Sequence, residues 1–133
     1  MASACEHLSR LIRARSYPLF LSLEFIEYLL KRGEYGAAGR VLQLVDGAGA
    51  EHPLLDKHHI SWLWCVGKPR AALSFAIKSA NHWRRSYLFA EVAGLYVLKG
   101  HKKKSEHYFR VANILAAEEL ERKHPKGRPA YTL

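Results

Sequence analysis

The sequence predicts an all-α domain built from three helical hairpins, each made of two helices and a short turn. Gly33, Gly67 and Gly100 recur at spacings of 34 and 33 residues, and each lies between two segments with the apolar period of an α-helix. No segment alternates apolar and polar residues as a β-strand would. A small residue five positions after each glycine lets the second helix pack closely on the first. These small residues are Ala38, Ala72 and Ser105.

The helices are predicted from start and stop residues, taken in chain order. Pro18 favours the start of a helix, because its missing N–H would be unpaired there, and Gly33 stops that helix after Arg32. The other helices are predicted over residues 35–45, from Pro53 to Gly67, from Lys68-Pro69 to a break at Asn81-His82, over 83–99 and over 102–123. Residues 1–16 are predicted to form a capping helix, 17–123 the repeat domain, and 124–133 an extended basic arm with two prolines and a glycine.

The third hairpin carries the residue pattern of a known repeat. Large, small and aromatic residues stand at the positions that this repeat requires: Phe89, Val92, Ala93, Tyr96, Gly100, Ser105, Phe109 and Ala112. The chain from Pro18 to about Lys123 thus resembles the tetratricopeptide repeat, with the first two hairpins more divergent. The resemblance implies a right-handed superhelix of three hairpins, with Phe109 between helices.

The resemblance also implies that the first helix of each hairpin lines a concave groove. Most of the residues at groove positions are apolar or aromatic, which suits an amphipathic partner helix or a hydrophobic peptide anchored on Trp64. The alternative is that some of them belong to the core or lie beneath the capping helix or the arm. The groove positions are Phe20, Leu23, Glu27, Leu30, Leu54, Lys57, His58, Ser61, Trp64, Tyr87, Ala90, Glu91, Gly94 and Val97.

Basic residues outnumber acidic ones by 21 to 12, which gives a net charge of +9. Several of them stand at predicted helix N-termini, where the helix dipole disfavours a cation by roughly 0.3–1 kcal/mol. This placement is consistent with a solvated surface, with RNA phosphates or with an acidic protein as neighbour. The segment FIEYLLKRGEYGAAGRVLQLV is also similar to a pentatricopeptide RNA-binding repeat, so the alternative function is a basic subunit of a ribonucleoprotein particle that contacts the RNA backbone. The basic patch comprises Arg84, Arg85, Lys99, Lys102, Lys103 and Lys104.

Other functional classes lack their motifs. The sequence contains no GxSxG, no HExxH and no glycine-rich phosphate fingerprint, and its eight histidines lack the spacings of a zinc site. We therefore expect no catalytic residues, metal, cofactor or small-molecule substrate. The apolar runs are shorter than the roughly 20 residues of a membrane span. Cys5 and Cys65 form no disulfide framework, which favours a reducing intracellular compartment, either the cytoplasm or, because the N-terminus is rich in arginine, the mitochondrial matrix.

Together these observations predict a non-enzymatic protein–protein interaction module. We expect it to hold a helix or segment of another protein within a larger complex, as a scaffold subunit or a dedicated chaperone.

Overall fold

The computed structural model describes Glu6 and residues 19–123, and all regular secondary structure in this part of the chain is α-helical. The predicted all-α class is therefore confirmed for the described residues. Apart from the helical Glu6, the predicted capping helix lies outside them, as does the predicted arm over 124–133. The helices are α1 (Leu19–Lys31), α2 (Tyr35–Gly47), α3 (Pro53–Cys65), α4 (Pro69–Trp83), α5 (Ser86–Leu98) and α6 (Lys102–Lys123).

The same turn geometry closes α1, α3 and α5. Gly33, Gly67 and Gly100 have φ values of 75°, 81° and 78°, a left-handed conformation that glycine adopts without steric cost. The Gly33 amide donates to the Leu30 carbonyl at 3.1 Å, and the next amide donates to the Leu29 carbonyl at 2.9 Å. Equivalent pairs of bonds occur at the other two glycines, and each pair forms a Schellman motif. The predicted helix breaks at these three positions are confirmed.

Small residues are buried at the same place in each second helix. Ala38, Ala72 and Ser105 are all buried, and the amide of each donates to the carbonyl four residues earlier. The Ser105 hydroxyl donates to the Lys102 carbonyl at 2.8 Å, so its polar atom is satisfied despite its burial. The recurrence therefore extends from the turn to the first buried turn of the following helix.

The described chain forms two compact units, one that ends at Ala72 and one that starts at Leu73. In the N-terminal unit, α1 contacts both α2 and α3, and α2 contacts α3. Fully burying one leucine or isoleucine side chain contributes about 1.5–3 kcal/mol, so large aliphatic residues dominate the stability of this unit. Its core cluster consists of Leu23, Ile26, Leu29, Ala38, Val41, Leu42, Val45 and Leu55.

The C-terminal unit is centred on the α5–α6 pair. Helix α5 is apolar over most of its circumference and buries six residues: Leu88, Phe89, Val92, Ala93, Leu95 and Tyr96. The longer α6 buries only Ser105, Ala112 and Leu115, which form one narrow stripe along it. Phe109 lies beside this stripe and is 42% exposed, so the expectation that it packs between helices is wrong for the described residues.

The predicted boundaries of three helices shift, and α5 begins at Ser86 instead of residue 83. Helix α4 continues through Asn81-His82 to Trp83, and the break falls at Arg84, which has a φ of 52° and donates its amide to the Ala80 carbonyl at 2.8 Å. Helix α2 continues two residues beyond the predicted end at Val45 and is closed by Gly49, which has a φ of 80°. In both cases the helix ends where a residue adopts the left-handed conformation, not where the polar residues begin.

Candidate functional site

The predicted groove positions of the N-terminal unit lie on α1 and α3, and all but one are at least partly exposed. Leu23 is the exception, because it is 4% exposed and belongs to the hydrophobic core. Leu30 and Leu54 pack against that core while keeping part of their surface in solvent. We call the exposed part of this face the α1–α3 surface; it comprises Phe20, Glu27, Leu30, Leu54, Lys57, His58, Ser61 and Trp64.

Phe20 is the most prominent apolar side chain of the α1–α3 surface, with 60% of its area exposed. Its ring and the His52 ring form a T-shaped pair, with the centroids 5.4 Å apart. His52 is the N-cap of α3, and its Nδ1 accepts a hydrogen bond from the Leu54 amide at 3.0 Å. The cap of α3 therefore fixes the ring against which Phe20 stands.

A small group of charges lies within the α1–α3 surface. Glu27 pairs with Lys31 at 3.0 Å, and the hydrogen bond and charge of Lys31 hold the pKa of Glu27 below its usual value, with smaller contributions from His58 and Lys57. Burial lowers the pKa of His58, although the charge of Glu27 opposes this shift. His58 thus favours its neutral form, which can donate one hydrogen bond and accept another.

The neighbouring His59 has a packing role instead. Its Nε2 lies 2.8 Å from Asp46 Oδ2, which ties α3 to the end of α2. Adjacent helical positions point about 100° apart, so the two histidines serve different faces of α3. Within Glu6 and residues 19–123, no three His, Cys, Asp or Glu side chains are grouped to hold a metal ion.

Trp62 joins two helices of the N-terminal unit, a role that was not predicted from the sequence. Its Nε1 donates to the Tyr35 carbonyl at 2.8 Å, and its ring lies so close to α2 that a Cβ on Gly39 would stand 2.8 Å from Cζ2. Trp62 therefore joins α3 to α2, whereas Trp64 in the same helix remains at the partly exposed surface. The available signal was the presence of Gly36 and Gly39 in the interior of α2, although only Gly39 lies in close contact with another helix.

The predicted groove positions of the C-terminal unit lie on α5. Val97 is 55% exposed, and Tyr87, Ala90, Glu91 and Gly94 are partly exposed. These residues occupy the side of α5 away from its buried stripe. They form a second, mostly apolar face within the C-terminal unit.

An aromatic stack also runs through the C-terminal unit. The rings of Phe89 and Tyr108 are stacked with centroids 6.3 Å apart, and those of Tyr108 and Tyr96 with centroids 5.5 Å apart. The guanidinium of Arg84 lies 5.7 Å from the Phe89 centroid, and Lys104 Nζ lies 5.5 Å from the Tyr96 centroid. Cations of the predicted basic patch thus stand at both ends of this aromatic stack, each favoured by a ring face.

The remaining basic patch residues extend from that arrangement into solvent. Arg85, Lys99, Lys102 and Lys103 are all exposed. Arg85 lies near the Glu119 carboxylate and helps to lower its pKa. The three lysines form no ion pair with any carboxylate of the described residues. They therefore present positive charge that the described part of the chain does not neutralise.

Comparisons of the chain with protein-family models, with curated proteins and with solved structures found no match. None of the helices within residues 19–123 has the length and apolar character needed to cross a membrane.

Proposed function

We propose that this chain is a non-enzymatic protein-interaction module whose three hairpins stack as tetratricopeptide-like repeats in a right-handed superhelix. The observation that carries the repeat assignment is the recurrence of one Schellman turn and one buried small residue at the 34- and 33-residue spacings. Helix pairs of this kind bury their apolar faces by stacking on neighbours. An experimental structure in which the hairpins stack in different directions would contradict the assignment.

The α1–α3 surface is the proposed partner site of the N-terminal unit. It combines an exposed aromatic ring at Phe20 and a partly exposed indole at Trp64 with the polar group of Glu27, Lys57 and His58. Aromatic residues surrounded by polar ones are typical of binding energy hot spots. The matching partner is an amphipathic helix with an apolar ridge and hydrogen-bonding side chains along one border.

The proposed role is that of a scaffold subunit or dedicated chaperone that holds this helix within a larger complex. The proposed location is a reducing intracellular compartment, as the two separated cysteines of the sequence favour.

The test is an affinity purification of the full chain from extracts of its own cells with and without nuclease treatment, followed by calorimetry with the recombinant partner. Phe20→Ala should weaken binding at least tenfold, and Trp64→Ala about thirtyfold, the loss of roughly 2 kcal/mol expected for an aromatic anchor. Both variants should keep the helical content of the wild type, because neither residue belongs to the core cluster.

Leu21 provides a matched control. It is 51% exposed and adjacent to Phe20, but it does not lie at a groove position. Leu21→Ala should therefore retain wild-type affinity. Equal losses in Phe20→Ala and Leu21→Ala, or a bound protein that the nuclease releases, would contradict the proposed partner site.

A further inference from the structure

The positive charge of the protein is unevenly distributed. Residues 19–72 carry six basic and six acidic side chains, so the described N-terminal unit is formally neutral. Residues 73–123 carry ten basic and five acidic side chains, a net charge of +5. Half of these ten basic residues fall between Lys99 and Arg110, where Glu106 is the only acid. Among the described residues, the positive charge is thus concentrated around the α5–α6 turn.

The turn places its lysines where the helix itself does not favour them. Lys102, Lys103 and Lys104 occupy the first turn of α6, which contains no acidic residue. The amides of a first helical turn carry partial positive charge, so cations there add to a field of the same sign. Glu106, one turn further on, forms no ion pair with them among the described residues. A bound anion would relieve this accumulation of positive charge.

The aromatic stack fixes a second basic group at the other end of α5. Arg84 is held over Phe89, and Arg85 precedes the first residue of α5. At 1.5 Å per helical residue, Arg85 and Lys99 stand roughly 20 Å apart along the α5 axis. One compact anion cannot contact both groups, whereas a polyanion with regularly repeated charges can.

We propose that these two groups form a surface that binds the phosphate backbone of a nucleic acid without reading its sequence. A nucleic-acid strand in a duplex carries one phosphate per roughly 3.4 Å, so about six phosphates span the distance between the groups. Lysine contacts a phosphate as a point charge on a flexible stem and does not distinguish bases. Such contacts would fix the position of the protein on the nucleic acid without selecting a sequence. This surface and the α1–α3 surface share no residue, so binding of a nucleic acid would not require the residues proposed to bind the protein partner.

The test measures binding of the full chain to fluorescent single-stranded RNA, single-stranded DNA and duplexes of equal length over a range of salt concentrations. With about five phosphate contacts, affinity for single strands should fall roughly 100-fold between about 50 and about 200 mM salt. The variant Lys102→Glu/Lys103→Glu/Lys104→Glu should bind at least tenfold more weakly at the lower salt concentration. Its remaining affinity should fall only about sevenfold over the same range, because three contacts are lost.

The folding readout separates loss of binding from loss of structure. Glutamates in the first turn complement the helix dipole, which offsets the loss of the Lys104–Tyr96 contact. The triple variant should therefore have a thermal midpoint no lower than that of the wild type while binding less. Arg40→Glu/Lys68→Glu/Arg70→Glu makes the same change in net charge at exposed positions of the N-terminal unit. This control should retain at least a third of the wild-type affinity.

Three outcomes would overturn the proposal. The first is no salt-sensitive binding to any of the nucleic acids. The second is an equal loss of affinity in the control triple variant, which would mean that net charge alone governs binding. The third is equal or tighter binding to polyglutamate of matched charge, which would identify an acidic protein as the partner of this surface.

Discussion

The two units of this protein are stabilised in different ways and carry different charge. The N-terminal unit packs three helices around large aliphatic side chains and has equal numbers of basic and acidic residues among those described. The C-terminal unit relies on one almost wholly apolar helix, α5, and an aromatic stack, and it carries a net charge of +5 over residues 73–123. This difference is the basis of the proposed division of labour, in which the α1–α3 surface would bind a protein and the α5–α6 turn would bind an anion.

Trp62→Ala should have the largest effect and should act mainly on the N-terminal unit. The substitution removes a ring that packs on α2 and leaves the Tyr35 carbonyl without its indole donor. We expect the free energy of unfolding to fall by about 3–5 kcal/mol. Hydrogen exchange followed by mass spectrometry should show that helices α1, α2 and α3 lose protection earlier than helices α5 and α6.

Trp64→Ala is the matched control in the same helix, and it should cost less than half as much stability. Equal destabilisation by the two variants would mean that Trp64 also holds the core. The α1–α3 surface would then lose one of its two aromatic residues.

Glu119→Gln should destabilise the C-terminal unit by about 1.5–3 kcal/mol, because a carboxylate that caps a helix is lost. Glu119 on α6 accepts hydrogen bonds from both the hydroxyl and the amide of Ser86 at the start of α5. Burial raises the pKa of Glu119, but these bonds and the charges of Arg85 and Arg122 outweigh it and hold the pKa below 4.5. Because the folded-state pKa is depressed, the stabilisation is present above about pH 4.5 and is lost as the pH falls below that value.

The neighbouring Glu118 is exposed and serves as the control. Glu118→Gln should change stability by less than about 0.5 kcal/mol in urea titrations. If the two variants unfold alike at neutral pH, the Ser86–Glu119 contact does not stabilise the α5–α6 pair.

Gly39→Ala should destabilise the N-terminal unit by about 1–3 kcal/mol, because the added methyl group would overlap the Trp62 ring. Gly36→Ala in the same helix meets nothing closer than 4.0 Å and should be neutral or slightly stabilising. Thermal unfolding of the two variants compares close packing with helix propensity directly. If Gly39→Ala stabilised the protein instead, the Trp62 ring and α2 would have to move apart at little cost in free energy.

The smallest expected effect is a pH dependence at His58. Burial holds its folded-state pKa below 6.5, so folding is favoured above that pH and protonation destabilises the fold as the pH falls below it. His58→Gln should reduce the loss of stability between neutral and mildly acidic pH, measured as the difference in thermal midpoint. Parallel pH profiles for the wild type and His58→Gln would contradict this expectation, because they would mean that His58 has the same pKa in the folded and the unfolded protein.

Much of the fold was predictable because glycine at a left-handed position leaves a clear sequence signal. Gly33, Gly67 and Gly100 specified the turns, and the buried positions of Ala38, Ala72 and Ser105 followed from their distance to those turns. The break at Arg84 was not predictable in this way, because an arginine seldom adopts a positive φ.

The rotation of helices about their own axes was harder to predict than their boundaries. Phe109 was expected between helices because the resemblance to the tetratricopeptide repeat implies a packed residue at its position. Its counterparts in the first two hairpins, Leu42 and Ala76, are buried. Phe109 itself lies beside the α6 stripe, where no described residue covers it fully. The pairing of Trp62 with Gly39 also depends on which face of α3 meets α2, which spacing alone does not specify.

The division of labour between the two units can be tested in one affinity purification of three forms of the full chain: wild type, Phe20→Ala, and Lys102→Glu/Lys103→Glu/Lys104→Glu. Bound protein and bound nucleic acid are quantified separately in each sample. We predict that Phe20→Ala loses the protein partner and retains nucleic acid, whereas the triple variant loses nucleic acid and retains the protein. Loss of both partners together in each folded variant would contradict two separate surfaces and would indicate a single ribonucleoprotein ligand.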